Sequence, residues 1–196
     1  MIIQVPFKEN PDEWHCIHSA IHSVAKHFLG KEYSLDYINA LLNPDYKLWV
    51  WPVQAVKVLD ELGLFVRLFY KGDLFKQHPK YIKLTSKDDY KKAIEYVSLR
   101  GLHEKEELSI SDLKKLLHNG VILIVLFGSL KRLGKYIVLT GYDENGFYFH
   151  ETGPKRKIPH RYISNEKFFS LWSRDPVRNC VIAIYGRKFG NGYTRV

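Results

Sequence analysis

The chain has 196 residues, 45% of them hydrophobic and 26% charged, with a formal net charge of +9 at pH 7. Such proportions belong to a globular domain able to bury a sizeable core. They exclude a membrane helix, because no apolar run approaches the ~20 residues it needs, and two cysteines exclude a disulfide framework. The N-terminal Met1-Ile2-Ile3-Gln4-Val5-Pro6 carries no charged leader with an apolar stretch, so no signal peptide is expected. A single domain over residues 1–196, cytoplasmic and reduced, is the resulting expectation.

In chain order, Ile17, Ala20, Ile21, Val24 and Phe28 recur at helical spacing, predicting a helix from Cys16 to Leu29 that Gly30 stops. Ser34 caps a second helix reaching Leu42. Pro52 suits a first helical turn, and Val53, Val56, Leu59 and Leu62 carry that helix to Gly63. Residues 64–70 read as a strand. Ser86 caps a helix to about Arg100, and Ser111 caps another over 112–119. The pattern then turns to β. Residues 121–127 are apolar throughout, as in a strand buried on both faces. Residues 136–142 and 147–150 flank Asp143-Glu144-Asn145-Gly146, whose Asn-Gly marks a hairpin. A short helix at 167–172 and a strand at 180–185 close the chain. The fold class expected is α+β, with N-terminal helices packed on an antiparallel sheet.

Two regions carry candidate chemistry. In Asn10-Pro11-Asp12-Glu13-Trp14-His15-Cys16 an amide stands six residues before a thiol that opens a helix. Helix N–H groups favour a thiolate, and an acyl intermediate needs donors about 3 Å from its oxyanion. Far downstream, Gly134-Lys135-Tyr136-Ile137-Val138-Leu139-Thr140-Gly141-Tyr142-Asp143 leads to His150-Glu151. A thiol hydrolase needs a base there and a group to orient it.

Val5-Pro6-Phe7, Asn10-Pro11 and Cys16-Ile17-His18-Ser19-Ala20 resemble the N-terminal pattern of the bacteriocin-leader-processing (double-glycine) peptidases, cysteine-peptidase family 39. The resemblance continues through residues 112–120, 134–143 and 168–172, and is weakest over about 71–105. It implies a papain-like fold and places the oxyanion amide on Asn10, the nucleophile on Cys16 and the acidic orienter on Glu151. The histidine base falls on Lys135. Lysine ordinarily titrates near ~10.4 and does not accept a proton at neutral pH as an imidazole does. The resemblance thus implies a hydrolase-type protein with an altered triad and weak or absent peptidase activity. The alternative is an inactive relative holding an acidic peptide or another anion in the cleft.

His150 and His160 are the candidates for a substitute base; alternation along a strand turns His150 away from Glu151. Trp49 and Trp51 fall where the family places a substrate-side loop, with core packing as the competing explanation. Lys155 and Arg156 suit a cationic cleft rim, and from Gly128 onward thirteen Lys/Arg face five Asp/Glu. That bias favours a peptide or acidic small ligand as partner. Nucleic acid lacks a supporting motif. His18 and His22 have zinc-compatible spacing without a third ligand, so no metal and no cofactor are expected. The oligomeric state stays open.

Overall fold

The protein is described from a computed structural model covering residues 1–12, 14–42, 49–72, 87–128, 134–153, 157–174, 179–189 and 192–193. The order of elements there is α1 (Cys16–Leu29), α2 (Leu35–Leu42), α3 (Pro52–Glu61), β1 (Leu64–Phe69), α4 (Lys87–Leu99), β2 (His103–Glu104) and α5 (Ile110–His118). It continues with β3 (Ile122–Phe127), β4 (Lys135–Tyr142), β5 (Gly146–Glu151), β6 (Ile158–Ser164), α6 (Asn165–Trp172), β7 (Val181–Phe189) and β8 (Gly192–Tyr193). Among these residues no helix is long and apolar enough to cross a membrane.

The strands run β2-β1-β7-β3-β4-β5-β6, and β8 pairs with β7. The pairs are antiparallel except β1 with β2. Strand β3 shows why the chain needs helices on both sides. Ile122, Ile124 and Leu126 join the core of α1 to α4, while Leu123, Val125 and Phe127 join that of α5 and α6. The expected α+β class with N-terminal helices on an antiparallel sheet is what the chain adopts, with a second helical layer behind the sheet.

Local chemistry sets the ends of elements. Gly30 takes a left-handed φ of 66° and returns its N–H to Lys26 O at 3.1 Å, closing α1. Ser109, rather than Ser111, caps α5, accepting from Asp112 N while Asp112 reaches back to Ser109 N. Helix α6 starts at Asn165, earlier than predicted, because Ser164 accepts from Lys167 N. The Ser86 cap lies outside the described residues.

Strands β2, β6 and β8 escape the sequence reading. Strand β6 is an edge strand that contains Pro159, and His160 has a φ of 49°, so neither composition nor alternation announces it. His160 therefore sits on a strand.

The N-terminus is laid across β4 and β5. Tyr142 N donates to Met1 O (2.9 Å), Ile3 N to Thr140 O (2.6 Å), and His150 Nε2 to Val5 O (2.9 Å). This strap brings Asn10 to the end of β5. It requires Gly141, where an added Cβ would meet Met1 O at 2.3 Å. Gly141→Ala should therefore lift the strap and cost about 1–3 kcal/mol, read as a lower urea midpoint at unchanged slope. A midpoint equal to that of the parent would show that the strap contributes nothing to stability.

Candidate active site

Cys16 is the first residue of α1, and the turn before it is built by two short polar side chains. Asn10 Oδ1 accepts from Asp12 N (3.1 Å), and Asp12 Oδ1 accepts from Trp14 N (2.7 Å) and His15 N (3.0 Å). Both Asp12 oxygens lie 2.8 Å from His15 Nδ1. Asn10 is buried, and its backbone N–H donates to Thr152 O at 2.9 Å, next to Glu151. With Oδ1 fixed as an acceptor, the amide NH2 of Asn10 is the end that retains donors.

Lys135 opens β4 and Glu151 ends the neighbouring β5. The Lys135 ammonium forms an ion pair with Glu151 Oε1, and Arg161 of β6 pairs with Glu151 Oε2. The Lys135 ammonium also overlies Gly153, whose missing side chain leaves it room: a Cβ there would lie 2.8 Å from Nζ. The N–H of Tyr136, the residue after Lys135, and the Lys135 charge both favour the Cys16 thiolate. The fold therefore brings the segment of Asn10 and Cys16 against the hairpin of Lys135 and Glu151, although more than a hundred residues separate the two.

The electrostatics differ from what the helix start alone implies. Burial pushes the Cys16 thiol up, and the N–H groups of Tyr136, Ile17 and Cys16 with the Lys135 charge only partly oppose it. The balance leaves the thiol above its ordinary value, so it is protonated at neutral pH. Burial also acts against the Glu151 carboxylate. The hydrogen bonds and charges of Lys135 and Arg161 outweigh it and hold that carboxyl below its ordinary value. Glu151 thus remains ionised and keeps Lys135 engaged across the neutral range.

Other candidates stand elsewhere. His150 is fully buried on the opposite side of β5 from Glu151, bonded to Val5 O. His160 Nδ1 lies 3.0 Å from Thr140 Oγ1, and its backbone N–H faces His150 Nδ1 at 3.4 Å. Neither is among the groups that act on the Cys16 thiol. Trp49 and Trp51 are buried, with Trp49 stacked on Tyr136 at 6.2 Å and Tyr136 Oη donating to Val50 O at 2.8 Å. They form the packing behind the Cys16 region. His18 Nε2 lies 3.1 Å from Asn39 Oδ1 and His22 Nδ1 2.7 Å from Tyr33 O, so both tie α1 to the following segment. Lys155 and Arg156 fall outside the described residues.

Arg161 is the site residue that the sequence reading missed. Its signal would have been a third ion-pairing residue at alternate positions of a strand, and β6 itself was unread.

No family model matches the chain, and no curated protein matches it. Solved structures do. The peptidase domain of Streptococcus ComA, a bifunctional ABC transporter of a quorum-sensing pathway, is 20% identical over 94% of this chain and 100% of that domain, with a TM-score of 0.58. A C39-like peptidase from Bacillus anthracis is 13% identical over 96% and 98%, with a TM-score of 0.60. This chain has the papain-like fold of the C39 peptidase domains. A double-glycine-motif protease from an AMS/PCAT transporter, solved with its leader peptide, adds a TM-score of 0.52 at 12% identity, covering 93% of each chain. In this fold α1, which begins at Cys16, packs against β4, which begins at Lys135.

Proposed function

We propose that the chain is a single papain-like, C39-like domain of the thiol-hydrolase type with an altered triad, whose peptidase or acyl-hydrolase activity through Cys16 is weak or absent. Asn10 is the oxyanion amide, Lys135 stands in place of the base, and Glu151 orients it. One observation carries the reading: the Lys135 ammonium is ion-paired with Glu151, and its charge acts on the Cys16 thiol. Attack of sulfur on a carbonyl requires the thiol proton to leave, and an ammonium has no lone pair to take it. Burial of Cys16 opposes thiolate formation in the same direction.

A peptide is the ligand we favour, because a protein of similar fold is known with its leader peptide bound. The two free cysteines support a reduced, cytoplasmic setting. The second reading, a binding protein for an acidic peptide or other anion, is favoured by the cations around Glu151 and predicts binding that weakens with salt and survives Cys16→Ala.

Alkylation tests the reading directly. The rate of Cys16 modification by iodoacetamide should rise with pH through a midpoint above the ordinary thiol value of ~8.5. Cys16→Ser provides the background from Cys180. A midpoint below neutrality would make Cys16 an activated nucleophile and overturn the proposal.

A further inference from the structure

The residues around Glu151 border a groove of about 600 Å³ that neither Cys16 nor Asn10 lines. Alternation explains its position. Along β4, Tyr136 and Val138 face the core of α1, whereas Ile137 and Leu139 face that of α6. Lys135 shares its strand face with Ile137 and lines the groove beside it. Glu151 likewise follows Phe147 and Phe149 on β5, both of which belong to the α6 side. The lysine at the base position is thus turned toward α6, on the sheet face that Ile137 shares.

The walls and rim have opposite character. Phe127, Ile137, Phe149 and Leu171 give apolar walls. Among the described residues that line it, four are cations, Lys135, Arg161, Lys167 and Arg174, against the one carboxylate of Glu151. The Arg161 guanidinium lies 5.9 Å from the centre of the Phe149 ring, at the junction of wall and rim.

We propose that this groove binds a small amphipathic anion, a single apolar chain ending in a carboxylate. Glu151 already shows that Lys135 and Arg161 accept a carboxylate between them, and the planar guanidinium matches that group. The surplus of positive charge leaves capacity for one more anionic head, while the chain replaces water on the apolar walls. The volume falls within the ~300–1,000 Å³ typical of small-molecule sites and is too small to enclose a folded partner. The proposal deepens the anion-binding reading given above by naming the ligand, but it does not depend on thiol chemistry or on a peptide in the Cys16 region.

The test is calorimetric titration of the whole protein at low salt with decanoate, acetate and decyltrimethylammonium, below their micelle concentrations. Decanoate should bind at least about tenfold tighter than either control, since acetate lacks the chain and the ammonium reverses the head. The double variant Lys167→Glu, Arg174→Glu, changing side chains outside the core, should weaken decanoate by at least about tenfold. The milder Lys167→Gln, Arg174→Gln pair should give the same direction if the first variant misfolds. Cys16→Ala should bind as the parent does. No heat with decanoate up to ~1 mM, equal binding of the cationic surfactant, or indifference to charge reversal would each overturn the proposal. Failure of an acidic peptide to bind would count against the peptide reading alone, which separates the two.

Discussion

On the proposed reading, Lys135→His should raise hydrolysis through Cys16 to a measurable rate. A positioned general base contributes typically 10²–10⁴ in rate, and the neighbouring groups of such a site are gathered here. Glu151 stands on the adjacent strand to orient an imidazole, the Tyr136 N–H faces the thiol, and Asn10 is fixed through its oxygen. The gain expected is about a hundredfold over the parent on a peptide thioester, short of the full range for two reasons. Burial holds the Cys16 thiol up, and Arg161 keeps one oxygen of Glu151. The measurement is steady-state hydrolysis against pH, with Lys135→His, Cys16→Ser as the blank. A bell-shaped profile should appear in the variant and be absent from the parent. A variant that folds with parental stability yet hydrolyses neither peptide nor thioester would show that more than the base has been lost.

Acid should destabilise the fold well before its carboxylates titrate. Burial pulls both His18 and His150 down to about 4; the Asn39 contact resists this at His18 and the Val5 carbonyl resists it at His150. In the unfolded chain each would titrate near ~6.5. The folded state therefore binds fewer protons than the unfolded state between these values, so stability falls as pH drops from about 6.5 toward 4. Each histidine accounts for on the order of 3 kcal/mol across that window. His160 beside His150, and His15 and Asp12 beside His18, modulate the amounts. Glu151, with its lowered value, adds its own loss only at more acidic pH. Urea midpoints at pH 7, 6, 5 and 4 should decline steadily, and the decline should shrink in His150→Gln, if that variant folds, since no ionisable ring then remains there. A flat profile down to pH 5 would mean that these histidines reach water.

Some of this protein was legible in its residues. The span of α1 is written in the spacing of Ile17, Ala20, Ile21 and Val24 and in the stop at Gly30, since helix ends and amphipathic faces depend on near neighbours. The same holds for β3, apolar on both faces, and for the hairpin at Asn145-Gly146. The pairing of Lys135 with Glu151 was reachable because both lie in one hairpin, although only through the family resemblance that aligned them. Strand β6 was not legible. Pro159 interrupts any strand pattern there, and only pairing with the edge of β5 makes a strand of these residues.

The sequence by itself determined which groups this site owns: one thiol, one amide, one carboxylate, and an amine where an imidazole is expected. Tertiary structure alone decided their state. Burial, which no local pattern records, holds the thiol protonated against its own helix N-terminus, because removing a charge from water costs more than a few N–H dipoles return. The turn of β4 that faces Lys135 toward α6, and the arrival of Arg161 from an unannounced edge strand, then give the groove its charge.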